Sequence, residues 1–436
     1  MSVSPSVQAP RRRGAVPAPQ GLPRLLAAVR DDGRAASLAE HVHQYGDVPA
    51  AVGTGLVPIV AASGLAGRGG GAFPTAEKLR AVASQRGRPA VVVNGVEGEP
   101  ASGKDRALLR AAPHLVLDGA RLAADGVGAQ DIIVAVGKRA TVESQIVAAA
   151  INERARHRVD GRRSLKLVVA ADGFVNGEET ALIQFLNGGP AKPTFTPPRP
   201  FERGVDGRPT LVQNVETLAH LALIARFGPR WFREVGTQDE PGSTLVTIAG
   251  AVARPGIHEI ALGTPLQQVM NDAGGRVDEV AAYLVGGYFG TWFPAAAAAE
   301  LMLTDAEVRR HGGGLGARVL VALPKTTCAV GEVARVARYL SSESAGQCGP
   351  CVNGLRSIAD ALERLARGEA DERDRLRHWA AIVQGRGACR HPDGATRFVA
   401  SALTVFAHEV ELHLRYGRCE TTATGVLPVA RKTRRP

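Results

Sequence analysis

Between Gly64 and Thr75 the chain reads Gly-Leu-Ala-Gly-Arg-Gly-Gly-Gly-Ala-Phe-Pro-Thr, with Lys78 one turn further on. Five of the eight residues from Gly64 to Gly71 are glycine, and a single cation, Arg68, sits among them. Glycine lets a backbone take φ > 0 and approach a ligand closely, so successive N–H groups converge on one anion. Arg68 and Lys78 add fixed and movable positive charge for a phosphate. The spacing is neither the dinucleotide fingerprint nor the P-loop. A plain glycine-rich surface loop is the simplest alternative. Against it stands Phe73-Pro74-Thr75 opening a helical run, because a helix N-terminus binds anions.

Two acidic and amide clusters follow predicted strands directly: Asn94-Gly-Val-Glu97-Gly-Glu99 and Gly173-Phe-Val-Asn-Gly177-Glu178-Glu179-Thr180. In open α/β sheets ligands gather beyond the carboxyl ends of the strands, which puts both clusters and the glycine loop at one crevice. The competing reading makes Glu178 and Glu179 simple charges at a helix start. Gln213-Asn214-Val-Glu-Thr217 carries the same ambiguity. Farther on, 37 residues separate Cys348-Gly-Pro-Cys351 from Cys389, and His391 stands two beyond it. A Cys-x₂-Cys pair between helices points to soft-metal ligation. Iron–sulfur and a Cys₃His zinc site through His391 both remain open, as does a solvated role for His391.

Positioning these residues requires a sheet. Apolar runs at 90–93, 131–136 and 165–170 have strand length, and helical segments at 113–124 and 142–156 separate them. This alternation predicts a parallel α/β sheet with covering helices. A helical lead-in over 22–30, a Pro/Gly-rich loop over 188–209 and a helix over 215–226 complete a first unit, 21–238. Strands at 243–249 and 258–262 and a helix up to Asn271 suggest a small β-grasp-like module, 239–324. Helical periodicity around Glu332–Leu340, Leu355–Leu365, Arg373–Val383 and Phe398–Leu412 predicts a four-helix bundle, 325–418. The first 20 residues read as a disordered tail, and 419–436 as a basic one.

At 436 residues the chain buries several cores, and 45% hydrophobic against 22% charged residues is ordinary for a globular protein. The net charge of +11 is spread along the chain with only 4% aromatics, which argues against a nucleic-acid platform. Neither a secretory signal nor ~18 consecutive apolar residues is present, so a cytoplasmic protein without its own membrane span is expected. Four of the five cysteines fall in the last 90 residues, which suits an intracellular metal site better than disulfides.

Together these motifs resemble the FMN-binding flavoprotein subunit of NADH:quinone oxidoreductase (respiratory complex I) and the related flavin subunits of NAD-linked hydrogenases and formate dehydrogenases. The glycine loop, Lys104-Asp105-Arg106, Gly177-Glu-Glu-Thr-Ala-Leu182 and Asn214-Val-Glu-Thr217 carry the resemblance over roughly residues 53–416. It implies a Rossmann-like flavin domain, a β-grasp (soluble-ligand-binding) domain and a helical bundle holding a [4Fe–4S] cluster. It also implies hydride transfer from NADH to FMN, then single electrons to the cluster. By this resemblance Gly64, Gly67, Arg68, Gly69, Gly70, Lys78, Asn94, Glu97, Gly177, Glu178, Asn214 and Thr217 hold FMN. Phe73, Glu99 and Glu179 face NAD(H), and Cys348, Cys351 and Cys389 bind the cluster.

The chain departs from the family pattern at named places. Thr196-Pro-Pro-Arg199-Pro replaces a segment with a lysine and a phenylalanine, Leu79-Arg80-Ala81 lacks an aromatic, and Phe174 and Val96 stand where Tyr and Asp are expected. Ala345 replaces the first cluster cysteine. Three cysteines leave open a [4Fe–4S] cluster with another fourth ligand, a [3Fe–4S] cluster, or no cluster. Alternative readings are an NADPH- or ferredoxin-linked oxidoreductase and a redox-inactive partner-binding scaffold. Implied partners are NADH or another donor and a ferredoxin-like or thioredoxin-like iron–sulfur subunit, with any membrane link through other subunits.

Overall fold

The computed structural model describes residues 16–27, 29, 33–49, 55–298, 300–421 and 423–429. Three helices lead in: α1 (Leu38–Tyr45), α2 (Leu56–Ser63) and α3 (Thr75–Ala83). The first sheet then alternates with helices: β1 (Ala90–Gly95), α4 (Lys104–Ala111), α5 (Pro113–Val127), β2 (Asp131–Gly137), α6 (Thr141–Arg156), β3 (Ser164–Ala170), α7 (Glu179–Leu186), β4 (Thr210–Asn214) and α8 (Val215–Phe232). All pairings are parallel in the order β3-β2-β1-β4. Ala90 to Val93 are fully buried because helices cover both faces of the central strand. The chain leaves β1 toward β2 on one side and returns as β4 on the other, so the strand order reverses between β1 and β4. Asn94 and Asn214 lie opposite each other at that switch point.

The second sheet comprises β5 (Ser243–Gly250), β6 (Gly256–Ala261), β7 (Val280–Val285), β8 (Thr291–Pro294) and β9 (Val319–Pro324), in the order β6-β5-β9-β7-β8. Helices α9 (Leu266–Asp272) and α10 (Asp305–Arg310) belong to this unit, and a core including Leu266, Val269, Tyr283 and Leu320 fills one face of its sheet. The other face shares a core with the helical region, where Leu284, Trp292 and Val321 pack with Val336, Leu362 and Phe398. The α/β sheet, the β-grasp-like sheet and the helical region thus follow the expected order.

The helical region contains α11 (Ala329–Ser342), a π-helical turn (Pro350–Leu355), α12 (Arg356–Ala366), α13 (Arg373–Val383), α14 (His391–Val405) and α15 (Ala407–Tyr416). The expected last helix is therefore two, broken at Phe406 (φ −103°). The expected helix over 215–226 runs on to Phe232 through a break at Gly228 (φ 91°) and Pro229.

Three boundary expectations need correcting. No helix forms among the described residues of 22–30: the N–H groups of Arg24, Leu25 and Leu26 instead converge on the Glu259 carboxylate at 2.8, 2.9 and 3.1 Å. The basic tail expected at 419–436 lies outside the described residues from 430 on. Its described part packs on the bundle: Leu427 is buried, and Gly425 N–H and Leu427 N–H both donate to Glu332. The disordered tail expected at 1–20 lies outside the described residues up to 15, whereas Pro19 O accepts from Trp231 Nε1–H at 2.7 Å.

Candidate functional site

The glycine loop closes on itself through Gly67 N–H to Phe73 O (2.8 Å) and Thr75 N–H to Leu65 O (2.9 Å). Gly70 has φ 100°, and an added Cβ there would sit 3.3 Å from Gly316 O, so this position admits no ordinary side chain. The loop tip leans on β4: a Cβ at Gly69 would stand 3.2 Å from Asn214 Cβ. Helix α3 then starts at Thr75 with no side-chain cap; Thr75 N–H is spent on Leu65 O, which leaves the N–H groups of Ala76 and Glu77 as anion donors. Thr75 Oγ1 beside them is buried without a partner.

Around the switch point the structure brings together most of the residues expected to hold flavin. Asn94 Nδ2–H donates to Gly177 O at 2.8 Å, which ties the end of β1 to the loop after β3. Asn214 caps α8 and donates Nδ2–H to Asp105 at 2.6 Å. Lys78 Nζ pairs with Glu179 at 2.9 Å, so α3 and α7 meet across the crevice. Phe73, 54% exposed, stands free at the loop. Gly177 must be glycine for a steric reason, because a Cβ would lie 2.2 Å from Val96 O. Gly177→Ala is expected to part the two loops and weaken FMN binding by about tenfold or more, roughly 1.4 kcal/mol of lost contact. A flavin-fluorescence titration measures this.

Other expected ligands are already engaged in holding the protein. The Arg68 side chain is 2% exposed and donates to Pro241 O at 3.2 Å, at the entrance to the second sheet. Burial first, and Arg318 second, lower its pKa to about 10. Its guanidinium therefore braces the loop against the second sheet, and its backbone N–H and C=O are both taken by protein partners. Thr217 Oγ1 accepts from Arg68 N–H at 2.8 Å and anchors the same turn. Gly64 ends α2 in the left-handed region with Arg233 and Pro241 against it, away from the loop tip. Glu97 accepts from Ser102 and from the N–H groups of Asp105 and Arg106, capping α4. Glu178 caps α7 through Thr180 and Ala181, as the simpler reading held.

Glu99, expected to face NAD(H), is instead buried and accepts from Tyr288 N–H at 3.1 Å. Burial raises its pKa to about 8, with the Tyr288 bond opposing and the charge of Glu97 adding a smaller rise. The folded state thus keeps this proton where the unfolded chain has lost it. Its contribution to stability is full below pH ~4.5 and is lost as pH climbs to about 8. Glu99→Gln is expected to raise Tm at pH 8 and leave it unchanged at pH 4, as thermal scans at both values will show.

Sequence spacing gave no hint of the charge network behind the crevice. Lys104 Nζ contacts Glu216 at 3.0 Å and Asp105 at 2.7 Å, all three buried. Glu216 also accepts from Thr244 Oγ1–H and Leu245 N–H, so the network joins the two sheets. Arg318, 250 residues from Arg68, donates to Arg68 O at 3.0 Å. Only the unusual burial of so many charges signals these partners.

Cys348, Cys351 and Cys389 line one small cavity with Ala345, Gln347, His391, Val175 and Pro193. Burial first, and the neighbouring cysteines next, push the Cys351 thiol up to about 12. Cys389 rises to about 11 from burial, partly offset by a bond from His391 N–H and raised further by the Glu178 charge. Three thiols lining one cavity match the donor set of a soft metal or iron–sulfur centre. Among the described residues, the single His/Cys/Asp/Glu group with all ligand atoms within 4.8 Å lies elsewhere, so these three stand wider than one ion's ligands. His391 is buried, not solvated: its Nε2–H donates to Leu340 O at 2.9 Å, and Nδ1 has no partner. Burial lowers its pKa to about 4, so it is neutral at pH 7 with Nδ1 bare. Cys328 takes no part in this cavity.

The cavity adjoins the crevice. Val175 and Pro193 come from the α/β unit, and Val175 is two residues from Gly177 in the turn that Glu178 N–H closes on Val175 O at 3.0 Å. Phe174 packs against Phe289 and His391, with centroids 4.9 and 5.6 Å apart, so it seals the junction of the three units instead of lying at the loop tip.

Comparison with known proteins agrees with this geometry. The Nuo51 FMN-binding domain family matches residues 60–223, the SLBB domain family 245–287, and the NADH-ubiquinone oxidoreductase-F iron–sulfur binding region 331–413. The F subunit of the NADH-quinone oxidoreductase of Mycobacterium tuberculosis H37Rv is 33% identical over 388 residues, 84% of this chain and 85% of that one. The mitochondrial NADH dehydrogenase [ubiquinone] flavoprotein 1 of Dictyostelium discoideum is 31% identical, covering 80% and 77%. A chain of an NAD+-reducing [NiFe]-hydrogenase superposes with TM-score 0.76 at 31% identity, over 82% of this chain. The chain spans 62% of that hydrogenase chain. Among the described residues no helix is long and apolar enough to cross a membrane.

Proposed function

The chain belongs to the family of flavoprotein F subunits of NADH-quinone oxidoreductases, and on that premise we propose that it oxidises NADH in the β1/β4 crevice and passes electrons toward the three-cysteine cavity. FMN accepts two electrons together and releases them singly, and an iron–sulfur cluster takes them one at a time. The observation that carries the reading is the loop 173–178, which lines the thiol cavity through Val175 and the crevice through Gly177.

The residues divide the work as follows. The N–H groups of the glycine loop and of the α3 start receive the flavin phosphate, with Lys78 as mobile counter-charge. Asn94 and Asn214 fix the ribityl chain, and both are held in orientation by Gly177 and Asp105. Phe73 stacks on the nicotinamide nucleotide, and Glu179 at the crevice mouth accepts from its hydroxyl groups. Cys348, Cys351 and Cys389 supply thiolates, and His391 Nδ1 takes the position that Ala345 leaves without a sulfur. A net charge of +11 suits an acidic ferredoxin-like or thioredoxin-like iron–sulfur partner, drawn in by long-range attraction. The unit limits 21–238, 239–324 and 325–418 are proposed as the functional divisions, with 419–429 joined to the last.

The test is flavin, iron and sulfide quantitation on anaerobically purified protein, followed by stopped-flow mixing with NADH or NADPH. Flavin bleaching by NADH with iron present is the expected result. Protein that retains neither flavin nor iron after reconstitution overturns the reading.

A further inference from the structure

A second group of metal-ligating side chains shares no residue with the three-cysteine cavity. Cys328, Glu409, His413 and Cys419 place one ligand atom each within 4.8 Å of one another, and all but Glu409 are buried. They come from three segments. Cys328 caps α11, its Sγ accepting from Gly331 N–H at 3.2 Å. Glu409 and His413 are one turn apart on α15, and Cys419 follows the left-handed Gly417 that ends that helix.

The imidazole is set for ligation. His413 Nδ1–H donates to Ala366 O at 2.7 Å, which leaves the Nε2 lone pair aimed at Cys328 Sγ, 3.4 Å away. A sulfur and a nitrogen on one tetrahedral zinc stand roughly 3.6 Å apart, from bonds of ~2.3 and ~2.05 Å. The carbonyl behind the ring is the outer partner that metal-bound histidines ordinarily have.

We propose that Cys328, His413, Cys419 and Glu409 bind one structural zinc ion, distinct from the three-cysteine cavity and independent of the redox reading. The ion staples the segment after α15 to the start of α11. From that point Ala423 O accepts from Cys328 N–H at 2.9 Å, Gly425 and Leu427 donate to Glu332, and Pro428 O accepts from the Tyr288 hydroxyl. The metal thereby fixes a strap that reaches the β-grasp sheet.

Elemental analysis of the full-length protein, purified with its flavin and iron and without chelators, tests this. About one zinc per chain is expected beside the iron. Cys419→Ser and His413→Ala are each expected to lower zinc about tenfold or more while iron and flavin stay constant. Amide exchange at Leu427 should quicken in both. Should these variants lose the strap's fold, cobalt substitution of the wild type gives a second readout: a thiolate-to-cobalt charge-transfer band with tetrahedral d–d absorption. Zinc-free wild-type protein without that band, zinc retained in both variants, or a Cys328–Cys419 disulfide in the intact mass overturns the proposal. Iron and flavin, counted in the same sample, report separately on the redox reading.

Discussion

Cys351→Ser is expected to strip iron and sulfide from the purified protein, by about tenfold or more, while leaving flavin bound. Of the three cavity cysteines, Cys351 is the one that is buried; Cys348 and Cys389 are partly exposed. Burial and its two neighbours push its thiol up to about 12, so a metal that binds this sulfur must displace its proton to solvent. A serine hydroxyl is harder to ionise and a poorer partner for iron than a thiol. The chain has no spare sulfur to compensate, because Ala345 already occupies one wall of the cavity and Cys328 lies in the other group. Flavin retention should persist, since neither Asn94, Asn214 nor the glycine loop touches this residue's cavity. A yellow protein without the brown absorbance is the expected appearance. Wild-type iron content in the variant excludes Cys351 as a ligand.

Lys104→Ala is expected to lower stability by about 3–5 kcal/mol, the cost of leaving buried carboxylates without their cation. Lys104 is almost wholly enclosed between Asp105 and Glu216. Burial works against its ammonium group, but the two carboxylates outweigh that and hold its pKa above the ordinary value. Glu216 shows the reciprocal effect: burial pushes its carboxyl up, and Lys104 prevails and holds it far below the usual range. In a unit of this size the loss corresponds to a fall in Tm of about 10 °C. Asn214 should also lose its fixed geometry, because Asp105, its acceptor, is freed to turn. Lower flavin affinity is thus expected along with the lower Tm. Scanning calorimetry with and without FMN measures both, and an unchanged Tm removes the network from the account of how the crevice is held.

Much of the fold is legible because it rests on local pattern. Val91-Val92-Val93 and Ile132-Ile133-Val134 are continuous apolar runs, which a strand covered on both faces requires. The lead-in over 22–30 misleads for the converse reason: its leucines are helical in spacing, but a carboxylate more than 230 residues away captures three of its N–H groups. Tertiary contact overrides propensity there. The bundle's last helix divides at Phe406, which periodicity alone does not reveal.

The chain's own order of residues determined the glycine loop, the strand-end amides, the Cys-x₂-Cys pair and the succession of three units, since each is a short-range pattern with its own chemistry. Only the tertiary structure decided which polar groups remain available to a ligand. It turned Arg68, Glu97, Glu178 and Thr217 into braces and caps, kept Asn94 and Lys78 at the crevice, and left Asn214 there as the cap of α8. It also divided the cysteines between two places, with Cys348, Cys351 and Cys389 in one and Cys328 and Cys419 in the other. The physical reason is that a buried donor or acceptor must find a partner wherever the chain brings one, and that choice depends on distance in space, not along the sequence.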